Sequence, residues 1–168
     1  MTVIRNISCL MLVCACVAAY CDKGDVFLFG SLLTDPFQTN GPAFGGEGGL
    51  QFGVNDRTDL QLSANVNATP GYLDSTGILN ARYLLTSYFT PYFGDIHPRL
   101  GGSMGLIQIA DHAGFNKFFF DAGFHLQGLM NLNSSAMLFA EVNPNFTFGD
   151  AGNFSTLVKL GILLRLSK

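Results

Sequence analysis

Residues 156–168 read TLVKLGILLRLSK. Taken two apart, Val158, Leu160, Ile162, Leu164 and Leu166 form an unbroken apolar row, while Ser155, Lys159, Gly161 and Arg165 fill most of the other. A period of two predicts a β-strand with one oily and one polar face. It does not say which face meets water, and that choice separates a soluble barrel from a membrane one.

The same alternation recurs along the chain. Leu60, Leu62, Ala64, Val66 and Ala68 oppose Asp59, Gln61, Ser63, Asn65 and Asn67. Phe118, Phe120, Ala122, Phe124 and Leu126 oppose Lys117, Asp121, His125 and Gln127, and Leu138, Ala140, Val142, Phe146 and Phe148 oppose Glu141, Asn143, Asn145 and Thr147. Weaker versions run through 44–54, 77–87 and 98–109, and 25–33 is apolar on both faces. No helical period interrupts them from residue 20 onward. Eight strands are therefore expected, in an all-β, eight-stranded antiparallel up-and-down barrel. The connections alternate in length. NDR (55–57) and NLNS (131–134) are tight polar turns, whereas 35–41, 69–76, 111–116 and 149–153 are longer and rich in Gly, Asp and Asn. YFTPYFGDIHP (88–98) is long and aromatic where a short turn is expected. Pro144 sits mid-strand, where its missing N–H calls for a bulge.

Residue types decide which face is outside. Only 12 % of the 168 residues are charged, about half the usual share, while Gly numbers 20 and Phe 16. The polar rows hold Gly, Asn, Gln and Ser with few charges, which is a poor exterior for a water-soluble barrel. On the apolar rows Phe44, Phe118, Phe120, Phe146 and Phe148 gather at the long-loop ends, with Ala122, Leu126, Ala140 and Val142 nearer the strand middles. Aromatics at the rim with aliphatics between them match the girdle of a barrel wall in lipid. The apolar face is thus expected to face outward, making the barrel transmembrane.

The first residues, MTVIRNISCLMLVCACVAAY, carry Arg5, an apolar run from Ile7 to Ala18 and a small-residue cleavage site at Val17-Ala18-Ala19. This predicts a secretory signal peptide over 1–19, followed by one barrel domain over 20–168. All four cysteines lie in or beside that segment, so no disulfide framework is expected. Val13-Cys14-Ala15-Cys16 resembles a lipobox, with Cys16 or Cys21 as acylation candidates. A net charge of -3 with no basic run excludes nucleic acid as the expected partner.

Over about 20–168 these patterns resemble the small bacterial outer-membrane barrels of the OmpA/OmpX/OmpW superfamily. The stretch KLGILLRL (159–166) is similar to the C-terminal assembly signal of such proteins, with Lys159, Gly161, Leu164 and Leu166 at its marked positions. It departs at Leu166-Ser167-Lys168, where members usually end on an aromatic. The resemblance implies a monomer in the outer membrane of a Gram-negative bacterium, contacts with lipid and the barrel-assembly machinery, and an external ligand met through the four longer loops.

Candidate chemistry is concentrated inside. Glu47, Arg82, Arg99, Lys117, Asp121, His125, Glu141, Lys159 and Arg165 are expected to point into the lumen as one charge network, since buried charges persist by pairing. If 132–134 is a loop, His125 lies opposite Glu141 and Asp121 opposite Asn145. The 55–57 turn places Glu47 opposite Asn65. Glu47 and Asp121 then lack a base directly opposite, so their partners must reach across the bore. A lipid A hydrolase would need a serine beside His125, and the position two residues on is Gln127. His97, His112 and His125 show no metal-ligand spacing. The expectation is a non-enzymatic barrel without metal or cofactor, with a structural, surface-contact or narrow-channel role. A lipid A-modifying barrel enzyme and a soluble secreted ligand-binding barrel are the alternatives.

Overall fold

A computed structural model describes residues 24–37, 41–55, 58–69, 78–91, 97–111, 113–149 and 153–167. The expected signal segment over 1–19 and its cysteines lie outside these. The eight strands are β1 (Val26–Asp35), β2 (Ala43–Asn55), β3 (Thr58–Ala68), β4 (Ile78–Phe89), β5 (His97–Asp111), β6 (Asn116–Asn133), β7 (Ala136–Phe148) and β8 (Asn153–Ser167). Each pairs antiparallel with its sequence neighbour, and β8 returns to β1, so the sheet is a closed barrel. Closure leaves no open edge, which a sheet crossing hydrocarbon requires.

Closure also staggers the strands. From Leu33 in β1, the row of facing residues runs one way through Gly45, Asn67 and Asn80 to Ile109 in β5. The other way it runs through Lys159, Glu141 and Gln127 to Arg99, ten residues lower on that strand. This shear tilts the strands and decides which levels of opposite walls meet inside.

Three sequence expectations change. The β6–β7 turn is Ser134–Ser135, not 132–134, because β6 continues to Asn133. Its register therefore moves by two, placing Gln127 opposite Glu141 and Asp121 opposite Thr147. The aromatic connection shrinks, because Tyr88 and Phe89 extend β4 while His97 and Pro98 begin β5. Pro144 causes no bulge, since the pairing with β6 keeps its register on either side. The backbone donor that proline lacks is replaced locally: Asn143 Nδ2 donates to the carbonyl of Phe124, across from Pro144, at 2.7 Å. At the long-loop end, Gly114 and Gly149 sit at φ 92° and 105°, a region that favours glycine.

Candidate functional site

The two faces of the wall have opposite chemistry. Outward, Leu32 is 77 % exposed, Phe124 67 % and Leu160 63 %, and the five girdle phenylalanines (Phe44, Phe118, Phe120, Phe146, Phe148) are 43–60 % exposed. Phe154, absent from the expected girdle, joins it by packing against Phe146 at a ring distance of 5.0 Å. Inward, Gln51, Gln61, Asn65, Asn80, Arg82, Arg99, Asp121 and Lys159 are buried. Apolar surface this extensive is unstable against water and stable against hydrocarbon.

The inner wall holds charge at three places. Near the long-loop end, Arg82 Nε of β4 pairs with Asp121 Oδ2 of β6 at 3.1 Å, and its Nη2 donates to Ser155 Oγ of β8 at 2.9 Å. That one guanidinium ties walls four strands apart. Thr147 donates to the other Asp121 oxygen at 3.0 Å. At mid-lumen, Lys159 Nζ bridges Glu47 Oε2 and Glu141 Oε1, each at 2.8 Å. Glu141 and Lys159 face each other directly, while Glu47 is reached across β1. Glu141 also accepts from Tyr88 Oη (2.6 Å) and Gln127 Nε2 (2.9 Å), and its Oε1 lies 2.8 Å from His125 Nδ1. Toward the turn end, Arg99 pairs with Asp59, donates to Gln127 Oε1 at 2.9 Å and stacks over the Tyr88 ring at 4.6 Å. Such charges tolerate burial because each is paired with an opposite charge.

Two expected members stand apart from these clusters. Lys117 is a correction: it is exposed, over the Phe115 ring at 5.5 Å. Its position on β6 lies beyond Phe120–Phe148, the last pair with β7, so no facing wall encloses it. Arg165 sits at the turn-end rim, partly exposed, paired with Asp25 at 3.0 Å and lying over Phe27. Toward the turn end the β1, β7 and β8 side of the lumen is apolar, with Phe27, Phe29, Phe139 and Leu163 forming a buried cluster. The apolar inward row of β1 supplies two of these.

His125 has a partner that a search along its own strand misses. Ser103 Oγ of β5 lies 2.8 Å from Nε2, while Nδ1 faces Glu141, giving the order serine, histidine, carboxylate. Asn143 Nδ2 also approaches Nε2, at 3.1 Å. With Nδ1–H directed to Glu141, Nε2 becomes an acceptor shared by two donors. The serine faces the lumen and not the lipid wall.

The proposed assembly positions divide by face. Lys159 points inward, Leu164 and Leu166 point outward, and Gly161 lies inside against Phe139. A Cβ on Gly161 would come within 2.4 Å of the Gly30 carbonyl oxygen and 2.6 Å of the Phe139 ring, so packing alone excludes a side chain there. Among the described residues, no group of three or more His, Cys, Asp or Glu could hold a metal ion.

No family model matches the chain, and no curated protein matches it in sequence. The fold does have counterparts among solved structures. Neisserial surface protein A superposes with a TM-score of 0.66 at 14 % identity, covering 85 % of this chain and 97 % of that one. A major outer membrane protein from Thermus thermophilus gives 0.60 at 11 % identity, covering 86 % and 100 %. The N-terminal barrel domain of Pseudomonas aeruginosa OprF gives 0.54 at 10 %, covering 84 % and 100 %. These likenesses establish the eight-stranded barrel fold.

Proposed function

We propose that the chain is an integral outer-membrane barrel of a Gram-negative bacterium, acting through its wall and long loops, with its lumen held shut. The inversion of polarity carries this reading: apolar rows outside, paired charges inside. A soluble ligand-binding barrel would need those rows reversed. The counterparts described as surface or outer-membrane proteins support the same location. In this reading the tight turns face the periplasm, and 35–41, 69–76, 111–116 and 149–153 face outward for contact with an external ligand. Outer-membrane lipid covers the wall, the barrel-assembly machinery reads Lys159, Gly161, Leu164 and Leu166, and the barrel is a monomer. The test is refolding from urea into detergent. Heat-modifiable migration on a gel is expected, whereas a protein that stays soluble and folded without detergent overturns the reading.

The Ser103–His125–Glu141 geometry favours one second reading, a lipid-acyl hydrolase, but less well. Glu141 is already engaged by Lys159, Tyr88 and Gln127. A mass shift in lipid A from expressing cells, lost in Ser103→Ala, would establish it, and an unchanged lipid A would remove it.

A further inference from the structure

We propose that the turn-end mouth of the lumen holds a binding site for a small organic carboxylate, anchored by Arg165. A cavity of about 270 Å³ opens there between β1, β6, β7 and β8. Its walls come from paired positions: Arg165 faces Phe27 across β8–β1, and Asn131 faces Met137 across β6–β7. The floor is apolar, since Phe27 belongs to the buried cluster and Met137 packs against that cluster. The rim is polar, built from Asn133, Ser134 and Ser135 at the β6–β7 turn. That rim is fixed in place. Ser135 N–H donates to Asn133 Oδ1 and Arg165 N–H to the Ser135 carbonyl, each at 2.8 Å, so the turn is tied to itself and to β8.

Arg165 is the one charged residue in the lining, which sets the sign of the ligand. Its guanidinium is held from two sides before any ligand arrives: Asp25 Oδ2 meets Nη2 at 3.0 Å, and the Phe27 ring centre lies 5.4 Å from Cζ. Asp25 engages one nitrogen of a group with five N–H donors, and the Arg165 side chain stays 29 % exposed. A planar fork of this kind suits a carboxylate or a phosphate. The surroundings choose between them. The asparagines and serines of the lining add neutral hydrogen-bonding groups and no second cation, which fits one negative charge better than two. The apolar floor takes a short hydrocarbon body, and a volume below that of drug-sized sites keeps it short. In the orientation proposed above this mouth opens to the periplasm, so the ligand is a carboxylate of that compartment. Only that last assignment rests on the proposed function.

Titration of the isotope-labelled barrel, refolded in micelles, with sodium butyrate tests this. Saturable shifts are expected at the Arg165 Nε–H and at the backbone amides of Ser134 and Ser135. Acetate and inorganic phosphate are expected to bind more weakly, and butylammonium to cause no shift. Arg165→Gln is expected to weaken butyrate binding about tenfold or more. Asp25→Asn, which frees the guanidinium from a competing carboxylate, is expected to tighten it about twofold to fivefold. The absence of saturable shifts, an equal response to butylammonium, or phosphate binding as tight as butyrate overturns the proposal. So does butyrate binding that Arg165→Gln leaves intact, or that Asp25→Asn leaves unchanged or weakens. If Arg165→Gln fails to refold, the ligand series and Asp25→Asn decide. The titration uses a barrel already folded in detergent, so a negative result leaves the membrane reading untouched.

Discussion

Two adjoining layers of one lumen are closed by different physics. Around Lys159 the bore is blocked by charges that meet because β8 and β2 both flank β1. Toward the turn end, Phe27, Phe29, Phe139 and Leu163 fill its β7–β8–β1 side by apolar packing. The apolar layer gains from every methylene removed from polar surroundings and is indifferent to its exact partners. The ionic layer gains little net energy from existing, since desolvation offsets attraction, but it fails sharply when one partner is removed. The comparison shows that a barrel interior can be blocked at one level by volume and at the next by pairing.

Substitution can separate these layers. The largest effect is expected for Glu141→Ala, which leaves His125, Tyr88 and Gln127 without this shared partner and Lys159 with Glu47 alone. A loss of about 3–5 kcal/mol in a urea titration of the refolded barrel is expected, with onset of conductance in a planar bilayer. Phe139→Ala is expected to cost about 3–5 kcal/mol through the cavity it leaves, without conductance, because the ionic layer stays closed. Equal conductance in both variants would erase the distinction between the layers. Glu47→Ala is expected to be milder, about 1–3 kcal/mol, since Lys159 keeps Glu141. Smallest is Asp25→Ala at the rim, below about 1 kcal/mol, because both members of that pair are partly open to solvent.

The wall was legible in the sequence because side-chain direction in a strand has a strict period of two. The parity of β3, β6, β7 and β8 sorts Leu62 from Gln61 and Leu160 from Lys159 without any knowledge of neighbours. Partnerships were legible only where a short turn fixes register, as at 55–57, which places Glu47 opposite Asn65. At Ser134–Ser135 a small error in turn position shifted every pair on β6–β7, and His125 lost its expected direct partner. Tyr88 was hidden because an aromatic-rich connection gives no sign that its first residues continue a strand. Ser103 and Asp59 were hidden for another reason: their partners come from other strands, in registers that the long connections 88–98 and 111–116 do not fix. The apolar cluster was half visible, as a first strand oily on both faces. Its meeting with Phe139 and Leu163 depends on the β8–β1 closure, which local pattern does not encode.

Planar-bilayer recording of the refolded wild-type barrel, paired with its unfolding titration, tests the central claim most directly. A lumen closed by pairing and packing is expected to show no steady conductance, with Glu141→Ala both opening the bore and lowering stability. A wild-type barrel that conducts steadily, and whose unfolding is unchanged by Glu141→Ala, would mean that the charges line an open wet channel, which contradicts the account.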